Sequence, residues 1–203
     1  MAAPVSTVEA ILRCAHTLVI AGGYNGFSYA DIADVVGIRK SSIHHYFPTK
    51  ADLVHALVRQ YRAEAEAGIA EIERQVDGPL SQLTSYTNYW ESCIGAAESG
   101  CCLCALLATQ LSVIPDEVVS EVRAHFQELS TWLASALERG ARDGSMTLAG
   151  SARSVAEMLI AVVHGAMLSA RAHGDPRVFA AITRVAIDGL RSHPAGPESR
   201  LPI

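Results

Sequence analysis

The chain has 203 residues, 50% of them hydrophobic and 18% charged, with a formal net charge of -5. That much apolar material supports one or two compact domains, which excludes a disordered chain, and no uninterrupted apolar run reaches the roughly 20 residues that span a bilayer. The N-terminal stretch has no basic segment ahead of its apolar residues and carries Glu9, Arg13 and His16 among them, unlike a signal peptide, so a soluble cytoplasmic protein without a membrane partner is expected.

Apolar residues recur at helical spacing along almost the whole chain, and alternating β-branched stretches flanked by turn signals are missing. The expected fold class is all-α: an N-terminal three-helix unit followed by a larger helical domain, about nine helices together. Val5, Val8, Ile11, Leu12, Ala15, Leu18 and Val19 form the first stripe, with Ser6 as its N-cap and Gly22-Gly23 as its stop. Ser28, with Asp31 three residues on, opens a short second helix through Val36 that Gly37 ends, and a third begins at about Arg39 and stops before Pro48. Thr49 and Asp52, at capping-box spacing, open a long fourth helix reaching Val76, where Asp77-Gly78-Pro79 breaks it. Further helices are expected at about 80–98, 102–113, 116–143, 151–173 and 176–191, punctuated by Gly100, Pro115, Gly144 and Gly174-Asp175-Pro176. The proline-rich tail from Ser192 is expected to be disordered.

Both lysines of the chain, Lys40 and Lys50, fall between Gly37 and Leu53. The two short helices around Gly37 read as a helix-turn-helix: Ile32, Ala33, Val36, Ile38 and Ile43 close a small core with the first helix. Arg39, Lys40, Ser41, Ser42, His44, His45 and Tyr46 are then left outward, on a helix free to enter a major groove. The helix N-termini at Ser28 and Thr49, with Tyr29 and Lys50 beside them, present N–H groups toward phosphate. Residues 1–50 carry a net charge of only +1, from Arg13, Arg39, Lys40 and Lys50 against Glu9, Asp31 and Asp34. Affinity for DNA must therefore draw on dimerisation and base contacts as well as on counterion release.

On these features, residues 8–54 resemble the N-terminal domain of the TetR family of bacterial transcriptional regulators. The matching features are the apolar first helix ending in Gly22-Gly23, the run GFSYADIADVVGIRKSSIHHYFPTKADL, and Tyr46-Phe47 followed by Lys50 and Leu53. The resemblance implies that Arg39, Lys40, Ser41, Ser42 and His44 face the groove while His45, Tyr46 and Lys50 face phosphates. It implies a DNA-binding domain at 1–50, a sensor and dimerisation domain at 51–191 and a tail at 192–203, acting as a homodimer on an inverted-repeat operator. The C-terminal helices permit that dimer. Ala161, Gly165, Ala166 and Ala170 form a small-residue strip beside Leu159, Val162, Val163 and Met167, and the last helix adds Phe179, Ile182, Val185, Ala186, Gly189 and Leu190.

Five cysteines, an odd number with three crowded at 101, 102 and 104, do not form a disulfide framework in a chain of this size, and reduced thiols are expected. Cys101, Cys102 and Cys104 begin a helix, where the dipole and free N–H groups favour thiolate, and Cys93 lies in the preceding helix. The run GCCLCALLATQLSVIPDEV is similar to the equivalent region of the electrophile-responsive members of the same family, the N-ethylmaleimide repressor and its relatives; the position matching their reactive cysteine is Cys102. Independently, Tyr86, Tyr89, Trp90, Phe126 and Trp132, with His125 and His164 as polar anchors, can line an apolar ligand cavity.

The reading is a transcriptional regulator, most often a repressor in this family, released by a small molecule or by cysteine modification. It needs no cofactor. No Gly-rich phosphate loop, nucleophile elbow or metal-spaced His/Glu pair supports an enzyme. The competing readings are a helical protein-interaction module that does not bind DNA, and a metal-responsive regulator using the cysteine cluster, although the latter lacks paired Cys-x-x-Cys knuckles.

Overall fold

The structure is a computed structural model that describes residues 6–95 and 100–192. The expected tail from 193 onward and the end of the helix expected at 80–98 lie outside the described residues. Ser6 caps α1 (Thr7–Gly22) by accepting the Glu9 N–H at 3.1 Å. Ser28 and Thr49 cap α2 (Tyr29–Val36) and α4 (Lys50–Gln75), each in a capping box closed by Asp31 and Asp52. Between α2 and α3 (Lys40–Tyr46) the chain turns at Gly37, whose φ of 74° and ψ of 32° lie in the left-handed region.

Ile11, Ala15, Ile32, Ile43, Leu53 and Val54 are fully buried together and make the core of a small head. Leu53 and Val54 belong to α4, so the first turns of that helix finish the head before the rest of it enters the body. The expected division between residues 50 and 51 therefore falls at the start of a helix that both parts share. The body consists of α5 (Pro79–Gly95), α6 (Leu103–Ala108), α7 (Asp116–Asp143), α8 (Ala152–His173) and α9 (Arg177–Asp188) around Leu133, Leu137, Met167 and Phe179. Burying each such side chain contributes about 2–3 kcal/mol relative to leaving it exposed.

Two sequence expectations change here. α6 was expected to reach 113 but stops at Ala108, because the Thr109 hydroxyl donates back to the Leu106 carbonyl and the chain winds through tighter turns toward Pro115. α9 ends at Asp188, and the chain then forms a single antiparallel bridge between Met146 and Arg191, with the Thr147 N–H donating to the Leu190 carbonyl at 2.9 Å. α8 passes for a membrane-crossing helix by length and average composition alone, while Arg153, Glu157, His164 and Arg171 interrupt its apolar run; it packs between α7 and α9 as a core helix.

That packing also divides the residues expected at a dimer interface. Leu159, Val163, Ala166, Met167, Ala170, Phe179 and Leu190 are buried within a single chain, finishing its own core. What remains outward is Ala161, Gly165, Val185 and Gly189, joined by Met158 and Leu168, with Leu168 61% and Val185 75% exposed. The unpartnered apolar face is thus the other side of α8 and α9.

Candidate nucleic-acid interface and sensor cavity

On the head, α3 buries only Ile43 and leaves Lys40, Ser41, His44, His45 and Tyr46 exposed, with Arg39 as the exposed N-cap; Ser42 is half-buried. A seven-residue helix with one inward anchor is free on nearly its whole circumference to meet a groove. His44 packs its ring 4.7 Å from that of Tyr29, and its Nδ1 lies 3.1 Å from the Pro48 carbonyl. A carbonyl only accepts, so Nδ1 carries the shared proton and the outward Nε2 of the neutral ring is an acceptor, suited to an exocyclic amino group on a base edge.

Three residues expected to face DNA are placed differently. Tyr29 is only 6% exposed: its hydroxyl sits 2.9 Å from the Phe47 carbonyl and 2.6 Å from that of Thr49, a strut under the α3–α4 junction. Burial pushes its pKa up to about 12, so it remains a donor. Lys50 is half-buried, donates to the Phe27 carbonyl, and lies 4.0 Å from the Phe27 ring centroid and 5.1 Å from that of Tyr24. Its ammonium braces the α1–α2 loop, and desolvation lowers its pKa. Ser28 is exposed, but its N–H and hydroxyl both engage Asp31, and Asp52 does the same at Thr49. The N–H groups expected to be open to phosphate are thus partly taken, with a carboxylate beside each.

In the body, α4, α5, α7 and α8 enclose a cavity of about 800 Å³. Tyr86, Tyr89, Trp90, His125, Trp132 and His164 line it, as the sequence suggested. Phe126 packs behind them, its ring 5.8 Å from His125 and 5.4 Å from His164. Sequence reasoning missed the wall that α4 supplies: Tyr61, Ala65, Ile69 and Ile72, with Arg62 at the mouth. Their helical spacing was the available signal.

The polar groups of the cavity are unevenly satisfied. The Trp132 indole donates to Glu73 at 3.1 Å, whereas Trp90 Nε1 and His164 Nε2 are buried without a hydrogen-bond partner among the described residues. The Tyr86 hydroxyl is near enough to the Trp90 indole to feel its N–H, but not in hydrogen-bond geometry, so the donor stays unsatisfied. Arg62 is tied to Glu121 and Glu128, which raises its pKa. Burial pushes His125 and His164 down to about 4, which keeps both neutral at pH 7.

The cysteines meet this cavity from behind. Cys102 caps α6, is 0% exposed, and receives the Tyr61 hydroxyl at 3.2 Å while His125 Nε2 stands 3.9 Å from the sulfur. Burial raises the thiol pKa of Cys102, Cys104 and Cys101, and for Cys102 the Tyr61 hydrogen bond offsets only part of that. The thiolate expected from the helix N-terminus is therefore disfavoured, because loss of hydration outweighs the dipole. Cys93 is half-buried on α5, and all five cysteines are free thiols. Among the described residues, no three His, Cys, Asp or Glu side chains converge in a manner able to hold a metal ion.

A side chain of the body also reaches the turn that closes the first helix of the head. Gln110, just after α6, accepts the Tyr24 N–H at 2.8 Å and lies against Gly23 in the turn that follows α1. A recognition helix on a three-helix head, joined by one long helix to a helical body with an internal cavity, defines a DNA-binding transcriptional regulator.

Residues 11–57 match bacterial regulatory proteins of the tetR family, and residues 79–186 match the tetracyclin repressor-like C-terminal domain. The fold matches that of a TetR-family transcriptional regulator from Agrobacterium tumefaciens with a TM-score of 0.89 and 58% identity, covering 91% of this chain and 97% of that one. The chain belongs to the TetR family, whose members bind DNA operators and act as dimers. It is 23% identical over 168 residues to the HTH-type transcriptional repressor NemR of Escherichia coli K12, covering 81% of this chain and 84% of that protein. The reduced form of E. coli NemR has the same fold, with a TM-score of 0.81 at 20% identity, covering 93% of this chain and 100% of that one.

Proposed function

We propose that the chain is a cytoplasmic homodimeric repressor that leaves its operator when a small organic molecule fills the cavity. The observation that carries this reading is the 800 Å³ cavity with buried polar atoms left unpaired, beside a helix whose far end reaches the head through Gln110. Arg39, Lys40, Ser41, Ser42 and His44 read bases, His45 and Tyr46 contact phosphate, and two copies pair through the outward face of α8 and α9.

Selection from random duplexes should return an inverted repeat. On that sequence Lys40→Ala and His44→Ala should each weaken binding by roughly 1–3 kcal/mol and relax preference at one position, while Lys50→Ala should weaken specific and random DNA alike. Recovery of a single half-site, or equal losses on both kinds of DNA for all three variants, would remove the proposed reading of bases by a dimer.

A second mode of control is favoured by the Tyr61–Cys102–His125 contacts. A quinone entering the cavity reaches Cys102 once Tyr61 swings aside, forms a carbon–sulfur bond and takes up the thiol proton, and the bulky adduct displaces the start of α6; hypochlorite instead oxidises the thiol to a sulfenic acid with release of chloride, placing a polar group in the same packed site. Operator release by such reagents in the wild type, lost in Cys102→Ser, is the expected result. Unchanged DNA binding after every accessible thiol has been modified would leave these cysteines as packing residues.

A further inference from the structure

We infer that the cavity takes an uncharged aromatic ligand bearing a hydroxyl group, one whose oxygen accepts from the Trp90 indole and whose hydroxyl pairs with His164 Nε2. The inference rests on the ligand-controlled reading above and narrows it to a chemical class. Its first support is the pair of orphaned atoms. Trp90 is only 9% exposed, its Nε1 can act only as a donor, and that donor has no partner among the described residues. Leaving such a group unpaired is costly, and an acceptor on a ligand removes the cost. His164 Nε2 is an acceptor in one neutral tautomer and a donor in the other; a hydroxyl, which does both, satisfies either.

Charge supplies the second support. Arg62 is the sole cation lining the cavity among the described residues, and Glu121 and Glu128 already hold it. Around it the lining carries Glu64, Glu66, Glu71 and Glu128. An anionic ligand would meet carboxylates at the mouth and find no free cation inside. A cation would pass the mouth but present no acceptor to Trp90. The remaining wall, with Tyr61, Ile69, Ile72, Tyr86 and Trp132, is apolar and aromatic, which suits flat rings. The occupied indole of Trp132 makes it an internal control, since its N–H already has Glu73.

Four probes on one skeleton separate the possibilities: 4-phenylphenol, biphenyl, biphenyl-4-carboxylate and 4-phenylbenzylamine, measured by calorimetry on the full chain at pH 7.5. Trp90 and Trp132 are the two tryptophans of the chain and both line the cavity, so tryptophan emission reports whether binding occurs there. The phenol should bind at least roughly tenfold more tightly than the other three, the scale of satisfying one buried donor. Trp90→Phe should cut its advantage over biphenyl to the part that His164 supplies, and Trp132→Phe should keep it whole. Equal affinity for all four, or a lead for the carboxylate or the amine, would overturn the ligand class while leaving a ligand-binding cavity. No binding by any probe and no change in emission would overturn the class and the ligand-controlled reading together. Tight binding of the phenol without loss of operator affinity would sustain the class and sink the regulatory reading.

Discussion

Lowering the pH from 6.5 to 4 is expected to cost this protein a large part of its stability, through two histidines. His125 and His164 are both pushed down to about 4, mainly by burial, from an ordinary value of 6.5. Between those limits the unfolded chain binds more protons than the folded one, so stability is fully present above pH 6.5 and is lost as pH falls toward 4. Each ring contributes roughly 2–3 kcal/mol over that window, and their mutual repulsion once charged makes the pair inseparable. Groups around them do not compensate: His125 faces Tyr61 on α4, Cys102 on α6, and on its own helix Phe126, with Glu128 and Arg62 acting in opposite directions. The carboxylates with lowered pKa, Asp31, Asp143 and Asp175, start below 4 and act under this window. Urea midpoints across the range measure the effect. A His125→Gln/His164→Gln variant should show a much flatter profile; a profile as steep as that of the wild type would assign the acid sensitivity elsewhere.

The same burial explains what the sequence shows and what it conceals. Ser6, Ser28 and Thr49 are correct helix starts because a cap is a local bargain between a side chain and the N–H groups two or three residues on. The helix-turn-helix was legible for the same reason, each feature lying within a few residues of the next. Lys50 misleads because its partner, the Phe27 carbonyl, is 23 residues away, and nothing local tells a braced ammonium from a free one. The cysteines mislead in the opposite direction. Position at a helix start argues for thiolate, while the decisive desolvation comes from α4 and α7 packing over α6. On α8, periodicity marks apolar positions on more than one side but cannot tell which side meets α7 and α9 and which is left bare.

Substituting alanine for Gly23 should strongly destabilise the head. Gly23 has φ 73° and ψ -173°, a combination essentially confined to glycine, so any side chain there carries backbone strain of about 1–3 kcal/mol. Its added Cβ would also collide with the Gln110 amide nitrogen. That amide is the end of a flexible side chain and can swing away, but only by giving up the Tyr24 N–H, a further loss of roughly 1–3 kcal/mol if that donor is left unpaired. Together these predict a melting temperature lower by on the order of 10 °C for a chain of this size. Gln110→Ala removes the acceptor without straining Gly23 and should cost only that same loss of roughly 1–3 kcal/mol. Its signature is functional: operator affinity is retained, but filling the cavity releases the operator less completely, because α6 no longer holds the turn after α1. The double variant separates the two causes. It should remain well below Gln110→Ala in stability, since removing the amide relieves the collision but not the backbone strain; full recovery to the Gln110→Ala level would show that the collision alone was responsible.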